Sequence, residues 1–443
     1  MLGMRDDAYP QGTLGVNDDA IAQKDKFDRS VFKLNGYIPR IAIMGGTFDP
    51  VHYGHMVAAE AVRQEFGVDE VRFIPAHSPP HKEAGGRADP WHRYMMTALA
   101  TADNRAFFPS MIEIERGGKS YAVDTVRALR RELGGDAKIY FITGADAVLE
   151  ILTWKEPDAL LSVCDFVAVT RPGYKRETLL AFIEKLGKDS GGKIHFLEVP
   201  ALAISSSDIR ARVFLGKSAK YLMPDRVLDY IEKHGLYAMP RDSAARRSAE
   251  AVLEYLRANI SGERLAHTMG VAEQSVRLAQ VHGEDIELAY LAALLHDCAK
   301  ELPGGEISRL AVQGGAVLDE LTAAFPVLLH GDAAAQLAPA MFGIDDPRVL
   351  AAVRSHTIGR PGMSALEKIL FIADTLDTGR DAEAGDTHRD RRAKIRDLAF
   401  SQRNLDAAVY ETLALKRDHT LGKGAKMHPL ADTALEHYRP VSL

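Results

Sequence analysis

Between Ile41 and Tyr237 the chain alternates short apolar runs with longer stretches whose apolar residues recur every three or four positions. The short runs predict strands at Arg40–Met44, Glu70–Ala76, Lys138–Thr143, Phe166–Thr170 and Ile194–Val199. The longer ones predict helices at Gly54–Phe66, Ala122–Leu133, Asp146–Leu152, Thr178–Lys185 and Ser206–Leu215. A strand-then-helix rhythm of this kind builds an α/β fold with a doubly wound parallel sheet, and such sheets bind ligands at the carboxyl ends of their strands. After Tyr237 the strand pattern ends. Ala249–Asn259, Arg264–Val281, Ile286–His296, Ala333–Leu337, Pro347–Ser355 and Ser364–Leu376 carry only helical periodicity, so the second half is expected to be all-α. The expected organisation is a flexible tail over 1–38, an α/β domain over 39–238, a polar and basic linker over 239–248 and a helical domain over 249–443. Asp377–Asp397 is densely charged with mixed sign and reads as a solvated loop and helix face.

Composition narrows the class. A chain of 443 residues exceeds one ordinary core, which supports two domains. A net charge of −6 argues against a general nucleic-acid binder, so no nucleic-acid partner is expected. The only cysteines, Cys164 and Cys298, sit far apart in apolar runs and read as buried thiols in a reducing compartment. No apolar run reaches transmembrane length and no secretory h-region opens the sequence, so no membrane partner and a cytoplasmic location are expected. The sequence leaves a homo-oligomer open.

The segment MGGTFDPVHYGH (residues 44–55) joins the first strand to the first helix. Gly45 and Gly46 let a backbone approach a phosphate closely, and Thr47 and Phe48 complete the turn. The helix that follows offers unpaired N–H groups and a partial positive charge, with His52 and His55 three residues apart to donate to the same anion. A glycine turn alone is common without a ligand; His-x-Gly-His at the helix start resembles the nucleotidyltransferase superfamily. Further segments follow in order: Pro79-Pro80-His81-Lys82; Ser120 to Thr125, containing Ala122; Thr143-Gly144-Ala145-Asp146; Thr153-Trp154-Lys155; Thr170-Arg171-Pro172-Gly173; and Ile204 to Arg210, containing Ser205 and Ser206.

Together, from about Arg40 to Tyr237, these strings closely resemble the bacterial nicotinate-nucleotide adenylyltransferases. The resemblance implies a Rossmann-like nucleotidyltransferase fold that transfers adenylyl from ATP, bound with Mg2+, to nicotinate mononucleotide, giving deamido-NAD and pyrophosphate. It implies that His52 and His55 hold the triphosphate, and that Arg210 with Ser205, Ser206 and backbone N–H groups holds its outer phosphates, assisted by Lys82. It places Gly144 and Asp146 against the adenosine, the pyridine ring on Trp154, and its carboxylate near Ala122, Lys155 and Arg171. Two departures are Ser207 and Ala122, where threonine is frequent in the family.

The helical half carries a different pattern. His267, His296, Asp297, His330, His356 and Asp374 occur in the order H…HD…H…H…D, several of them where an apolar run ends. Carboxylates avoid apolar faces unless they are paired or bind metal. The arrangement resembles the HD phosphohydrolase superfamily, in which His267, His296, Asp297 and Asp374 match the four basic metal positions. His330 and His356 add ligands for a second metal if the catalytic Asp297 bridges both; iron, manganese and zinc all suit such donors. The string Arg354 to Ser364 followed by Lys368 resembles the YqeK-like branch. That branch implies symmetrical cleavage of diadenosine tetraphosphate into two ADP, with Lys300, Arg360 and Arg380 on the polyphosphate. Alternatives left open are another nucleotide phosphohydrolase and a metal-containing regulatory nucleotide-binding module.

Overall fold

The computed structural model describes residues 38–79, 87–133, 137–170, 194–200, 202–377 and 386–440. Six parallel strands form one sheet: β1 (Arg40–Gly46), β2 (Glu70–Pro75), β3 (Phe107–Pro109), β4 (Lys138–Gly144), β5 (Asp165–Thr170) and β6 (Ile194–Glu198). Their order is β3-β2-β1-β4-β5-β6, so the direction of winding reverses between β1 and β4. That reversal opens a crevice at the carboxyl ends of those two strands. Met44 there lies level with Phe73 on β2 and Ile142 on β4. Parallel strands are buried on both faces, which is why β1 and β4 read as unbroken apolar runs.

The first half adds α1 (Tyr53–Glu65), α2 (Pro90–Thr101), α3 (Ile112–Arg116), α4 (Ala122–Leu133), α5 (Ala145–Leu149), α6 (Pro157–Val163), α7 (Ser206–Phe214) and α8 (Asp225–His234). β3, α2, α3, α6 and α8 were not anticipated by the apolar pattern. β3 is three residues long, too short for alternation to register. The helix expected over Thr178–Lys185 lies outside the described residues.

The second half is helical throughout its described residues: α9 (Ala244–Asn259), α10 (Gly262–His282), α11 (Ile286–Leu295), α12 (Gly304–Gln313), α13 (Glu320–Ala324), α14 (His330–Phe342), α15 (Pro347–Ser355), α16 (Ala365–Leu376), α17 (Asp386–Arg396), α18 (Leu405–Gly422) and α19 (Pro429–His437). α9 starts inside the stretch expected to be linker, because Ser243 caps it by accepting from the Arg246 N–H at 3.1 Å. α11 is apolar around most of its circumference and packs among α9, α10, α14, α15 and α16 as the centre of the bundle. α17 forms within the charged stretch expected as loop and helix face.

The halves touch through α7 and α10. Phe214 meets Tyr290 edge-on at 5.6 Å, and Ala211, Phe214 and Val276 form a small shared apolar cluster. Around it run Lys217–Glu273 at 2.5 Å, Arg277–Asp208 at 3.4 Å and Arg210–Gln280 at 2.8 Å. Among the described residues no helix is long and apolar enough to cross a membrane.

Candidate active sites

The turn after β1 is held from beneath. Arg93 on α2 is buried, and its guanidinium donates to the carbonyls of Thr47 (2.8 Å), His77 (3.1 Å) and Ala88 (3.1 Å). One side chain thus ties the glycine turn to the loop after β2. Phe48 sits at φ +50°, a conformation costly for a non-glycine residue, and its ring is fully packed. A Cβ on Gly46 would stand 3.1 Å from that ring, so a larger residue there would crowd Phe48. His52 is the N-cap of α1, and its N–H donates to Nδ1 of His55 at 3.2 Å. With Nδ1 accepting, the proton of neutral His55 sits on Nε2, available as a donor. Burial, and then the neighbouring His52, push the His55 imidazole well below its ordinary pKa, so it is neutral at pH 7.

Two cavities meet at this turn. One, of about 330 Å³, is lined by Gly45, His55, Gly144 and Ile204 among others; the second, of about 340 Å³, by Gly45, Gly46, Thr47, Ala122, Trp154 and Lys155 among others. Gly45 and Thr143 line both, so the cavities flank the crevice at the ends of β1 and β4. Trp154 is steadied edge-on by Phe141 at 5.9 Å and by Phe166 at 6.4 Å. Lys155 pairs with Asp124 at 3.0 Å and lies 4.8 Å above the Tyr121 ring. Glu113 also lines the second cavity; burial raises its pKa, and Thr125 donates to it at 2.5 Å.

At the start of α7, Ser205 accepts from the Asp208 N–H and Ser206 donates to the Pro50 carbonyl at 2.8 Å. Arg210 is gripped from three sides: Nη1 donates to the Asp49 carbonyl at 2.6 Å, Nε to Gln280 at 2.8 Å and Nη2 to Ser207 at 3.4 Å. Asp49 in turn accepts from the Tyr237 hydroxyl at 2.6 Å. Burial and the Asp49 charge push that phenol far above its usual pKa, so it stays a donor.

In the helical half, helix ends converge on Asp297, which is fully buried. Two triads place their ligand atoms within 4.8 Å of one another: His267, His296 and Asp297, and Asp297, His330 and His356. Asp297 belongs to both. Three imidazoles are oriented alike, each Nδ1 facing the carbonyl three residues earlier: His296 to Ala293 (2.6 Å), His330 to Val327 (2.5 Å) and His356 to Val353 (2.7 Å). Their Nε2 lone pairs therefore point inward. Nε2 of His296 is buried without a hydrogen-bond partner, and those of His330 and His356 face each other at 2.9 Å. Opposed lone pairs and an orphaned buried nitrogen are unfavourable alone and are satisfied by cations, so the donor set fits metal. His267 directs Nδ1 to Asp377 at 2.8 Å and Nε2 towards Asp374 at 3.2 Å. Burial pushes the His296 imidazole down to about 3. Burial opposes charge on Asp297, but the surrounding imidazoles and Lys300 more than offset it, so its carboxyl lies far below the usual range. Arg264 (2.8 Å) and Lys300 (3.1 Å) contact the same carboxylate.

Residues 43–212 match the Cytidylyltransferase-like family, and residues 264–379 match the HD domain family. A probable nicotinate-nucleotide adenylyltransferase of Moorella thermoacetica is 54% identical over 198 residues, covering 45% of this chain and 91% of that protein. The chain belongs to the nicotinate-nucleotide adenylyltransferase family. The Thermoanaerobacter relative of the same description is 53% identical over 45% of this chain and 94% of its own length. A Clostridium acetobutylicum structure, described as a predicted HD superfamily hydrolase involved in NAD metabolism, is 35% identical over 43% of this chain and 95% of its own, with a TM-score of 0.39. The chain thus joins a half similar to the nicotinate-nucleotide adenylyltransferases to a segment, residues 264–379, that matches the HD domain family.

Of the residues singled out in the adenylyltransferase sequence, Gly45, Gly46, Thr47, His55, Ala122, Gly144, Trp154 and Lys155 line the two cavities. His52 stacks on His55 with ring centroids 3.8 Å apart. Asp146 lies in the first turn of α5, beside Gly144. Lys82, Arg171 and Arg380 lie outside the described residues. In the HD domain the six expected ligands cluster, and Lys300 reaches Asp297. Arg360 is instead held by Glu367 through two bonds of 2.7 Å. Arg93, Glu113, Gln280, Arg264, Asp377 and Lys416 were not singled out from the sequence. Lys416 sits 3.3 Å from Asp374.

Proposed function

We propose that the chain is a bifunctional enzyme: it adenylylates nicotinate mononucleotide in its first domain and hydrolyses diadenosine tetraphosphate to two ADP in its second. The first activity rests on the paired cavities that meet at Gly45 beside the Nε2–H of His55. ATP with Mg2+ lies along the cavity of Gly144 and His55, and nicotinate mononucleotide fills that of Trp154. The 5′-phosphate of the mononucleotide attacks the α-phosphorus at the shared wall, and pyrophosphate leaves towards Arg210. The reaction needs alignment and charge stabilisation more than covalent help. His55, neutral and oriented by the His52 N–H, donates to the α-phosphate oxygens, while His52, Ser205 and Ser206 bracket the chain of phosphates. Trp154 supports the pyridine ring. Donors at Ala122 and Lys155 favour a carboxylate over an amide, which selects nicotinate.

The second activity rests on Asp297, common to both triads. His267, His296 and Asp374 with Asp297 would hold one cation, and His330 and His356 with Asp297 a second. Iron, manganese or zinc bound there supplies Lewis acidity towards a phosphoryl oxygen and a hydroxide-forming water. Arg264 and Lys300 stand beside the Asp297 carboxylate and would attract the polyphosphate. The test is to load the full chain separately with iron, manganese or zinc, add diadenosine tetraphosphate and resolve the products. ADP alone is expected. AMP with ATP would overturn the cleavage position, and no product with any metal would overturn the hydrolase.

A further inference from the structure

A cleft of about 570 Å³ lies where the two halves meet; it shares no lining residue with the cavities around Gly45, but Ser205, assigned above to the ATP phosphates, lines it, so the cleft adjoins that site. The first turn of α7 forms one wall, and α10 forms another. The third is the end of α17 with the π-helix Asp397–Ser401 that follows it. The cleft also lies outside the histidine cluster.

Its charge is one-sided. Arg277, Arg396 and Arg403 line it against a single carboxylate, Asp397, which already accepts from Gln402 at 2.8 Å. Arg277 is anchored, resting 5.7 Å over the Phe400 ring and 3.4 Å from Asp208. Arg403 is exposed at φ +53° and makes no hydrogen bond or ion pair among the described residues. A second observation is independent of charge. Gln274 is only 5% exposed and lines the cleft, yet its amide has no hydrogen-bond partner among the described residues. The amide keeps contact with water, and at the cleft it offers an occupant two N–H donors and one carbonyl acceptor. It adds a neutral polar group to the arginines of the lining.

Guanidinium groups present planar forks of N–H donors that match phosphate oxygens, and they keep their charge at every relevant pH. One phosphate occupies one such fork or two. Three arginines spread around a space of this volume exceed what a single phosphate needs. The space falls within the range of roughly 300–1,000 Å³ usual for small-molecule sites. We propose that the junction cleft binds an oligophosphate, an anion of at least two linked phosphates, either free or as part of a nucleotide. Arg277, Arg396 and Arg403 bind the phosphate oxygens, and the Gln274 N–H2 group donates to one of them from below. Ser207, at the start of α7, closes the other side. The site needs both halves, since Ser205 and Ser207 come from the start of α7 and Gln274 and Arg277 from α10.

The test is calorimetric titration of the full chain with inorganic tripolyphosphate and, separately, with ADP. Arg403→Ala removes an exposed side chain, and Gln274→Leu replaces the amide by an apolar group of similar size. Each is expected to weaken one binding event at least tenfold, leaving other phosphate-binding events unchanged; Arg403→Lys should restore part of the loss. Tripolyphosphate and ADP binding alike would assign recognition to the phosphate chain. Tighter ADP binding would add the nucleoside to the recognised group. Isotherms for both ligands that are identical in wild type, Arg403→Ala and Gln274→Leu would overturn the proposal. The readout is binding, so it is independent of whether either catalytic assignment holds.

Discussion

Gly270 lies three residues after His267 on α10, on the face towards Asp377. A Cβ at Gly270 would stand 2.8 Å from Cγ of Asp377 and closer still to its Oδ1. Carbon atoms pack at about 3.5–4.0 Å, so the carboxylate must retreat by about 1 Å. It is not free to do so cheaply: Asp377 is buried and holds Nδ1 of His267 at 2.8 Å. Alanine gains about 1 kcal/mol over glycine in a helix interior. Loss of a hydrogen bond to a charged group costs about 1.5–3 kcal/mol. Gly270→Ala should therefore be net destabilising by about 0.5–2 kcal/mol, lowering the melting temperature of the HD domain by about 2–4 °C per kcal/mol. Outer partners that orient metal-binding histidines contribute about 10–100-fold in metal affinity, and the variant should lose that amount. The assay is metal titration followed by calorimetry and thermal melting. Gly262→Ala on the same helix is the control, since a Cβ there meets nothing within 4 Å. If Gly270→Ala melts higher than wild type with unchanged metal affinity, the carboxylate is not fixed and the reasoning fails.

His55 has its pKa lowered in the folded chain, so below its unfolded value near 6.5 the unfolded state binds more protons. Stability of the first domain should fall as pH drops from 7.5 to 5.5, by at most about 1.4 kcal/mol per pH unit from this group, and His55→Gln should flatten the curve in urea melts. Equal slopes would contradict the burial argument. Arg93→Met strips a charged donor from three carbonyls and should cost about 3 kcal/mol or more in urea unfolding; a change under about 0.5 kcal/mol would show the turn is held otherwise. Gln280→Ala releases one of three grips on Arg210 and should raise KM for ATP several-fold with little change in KM for nicotinate mononucleotide. Unchanged KM for both substrates would make that contact purely structural.

The sheet was legible because parallel strands buried on both faces leave unbroken apolar runs, as at Ile41 to Met44. The histidine cluster was legible because His296 and Asp297 end an otherwise apolar helix, where such residues have little structural reason to sit. What escaped were partners whose meaning is set by distant contacts. Asp377 reads as one charge at the head of a charged stretch, and only folding brings it to His267, 110 residues away. Gln280 reads as an ordinary helix residue until α10 meets α7, and Arg93 until its three carbonyls gather around it. Arg360 was legible as a basic residue beside a metal-binding string, but its pairing with the buried Glu367, seven residues on, was not. Helix starts were missed where the capping residue sat outside the apolar pattern, as with Ser243 before α9 and Asp89 before α2.

The central claim is that two separate catalytic sites share this chain, and paired single variants test it most directly. Deamido-NAD synthesis and ADP release from diadenosine tetraphosphate would be measured on the metal-loaded full chain, His55→Ala and Asp297→Asn. The account predicts that His55→Ala loses synthesis and keeps ADP release, while Asp297→Asn loses ADP release and keeps synthesis. Near-normal synthesis by His55→Ala, or undiminished ADP release by Asp297→Asn, would contradict it.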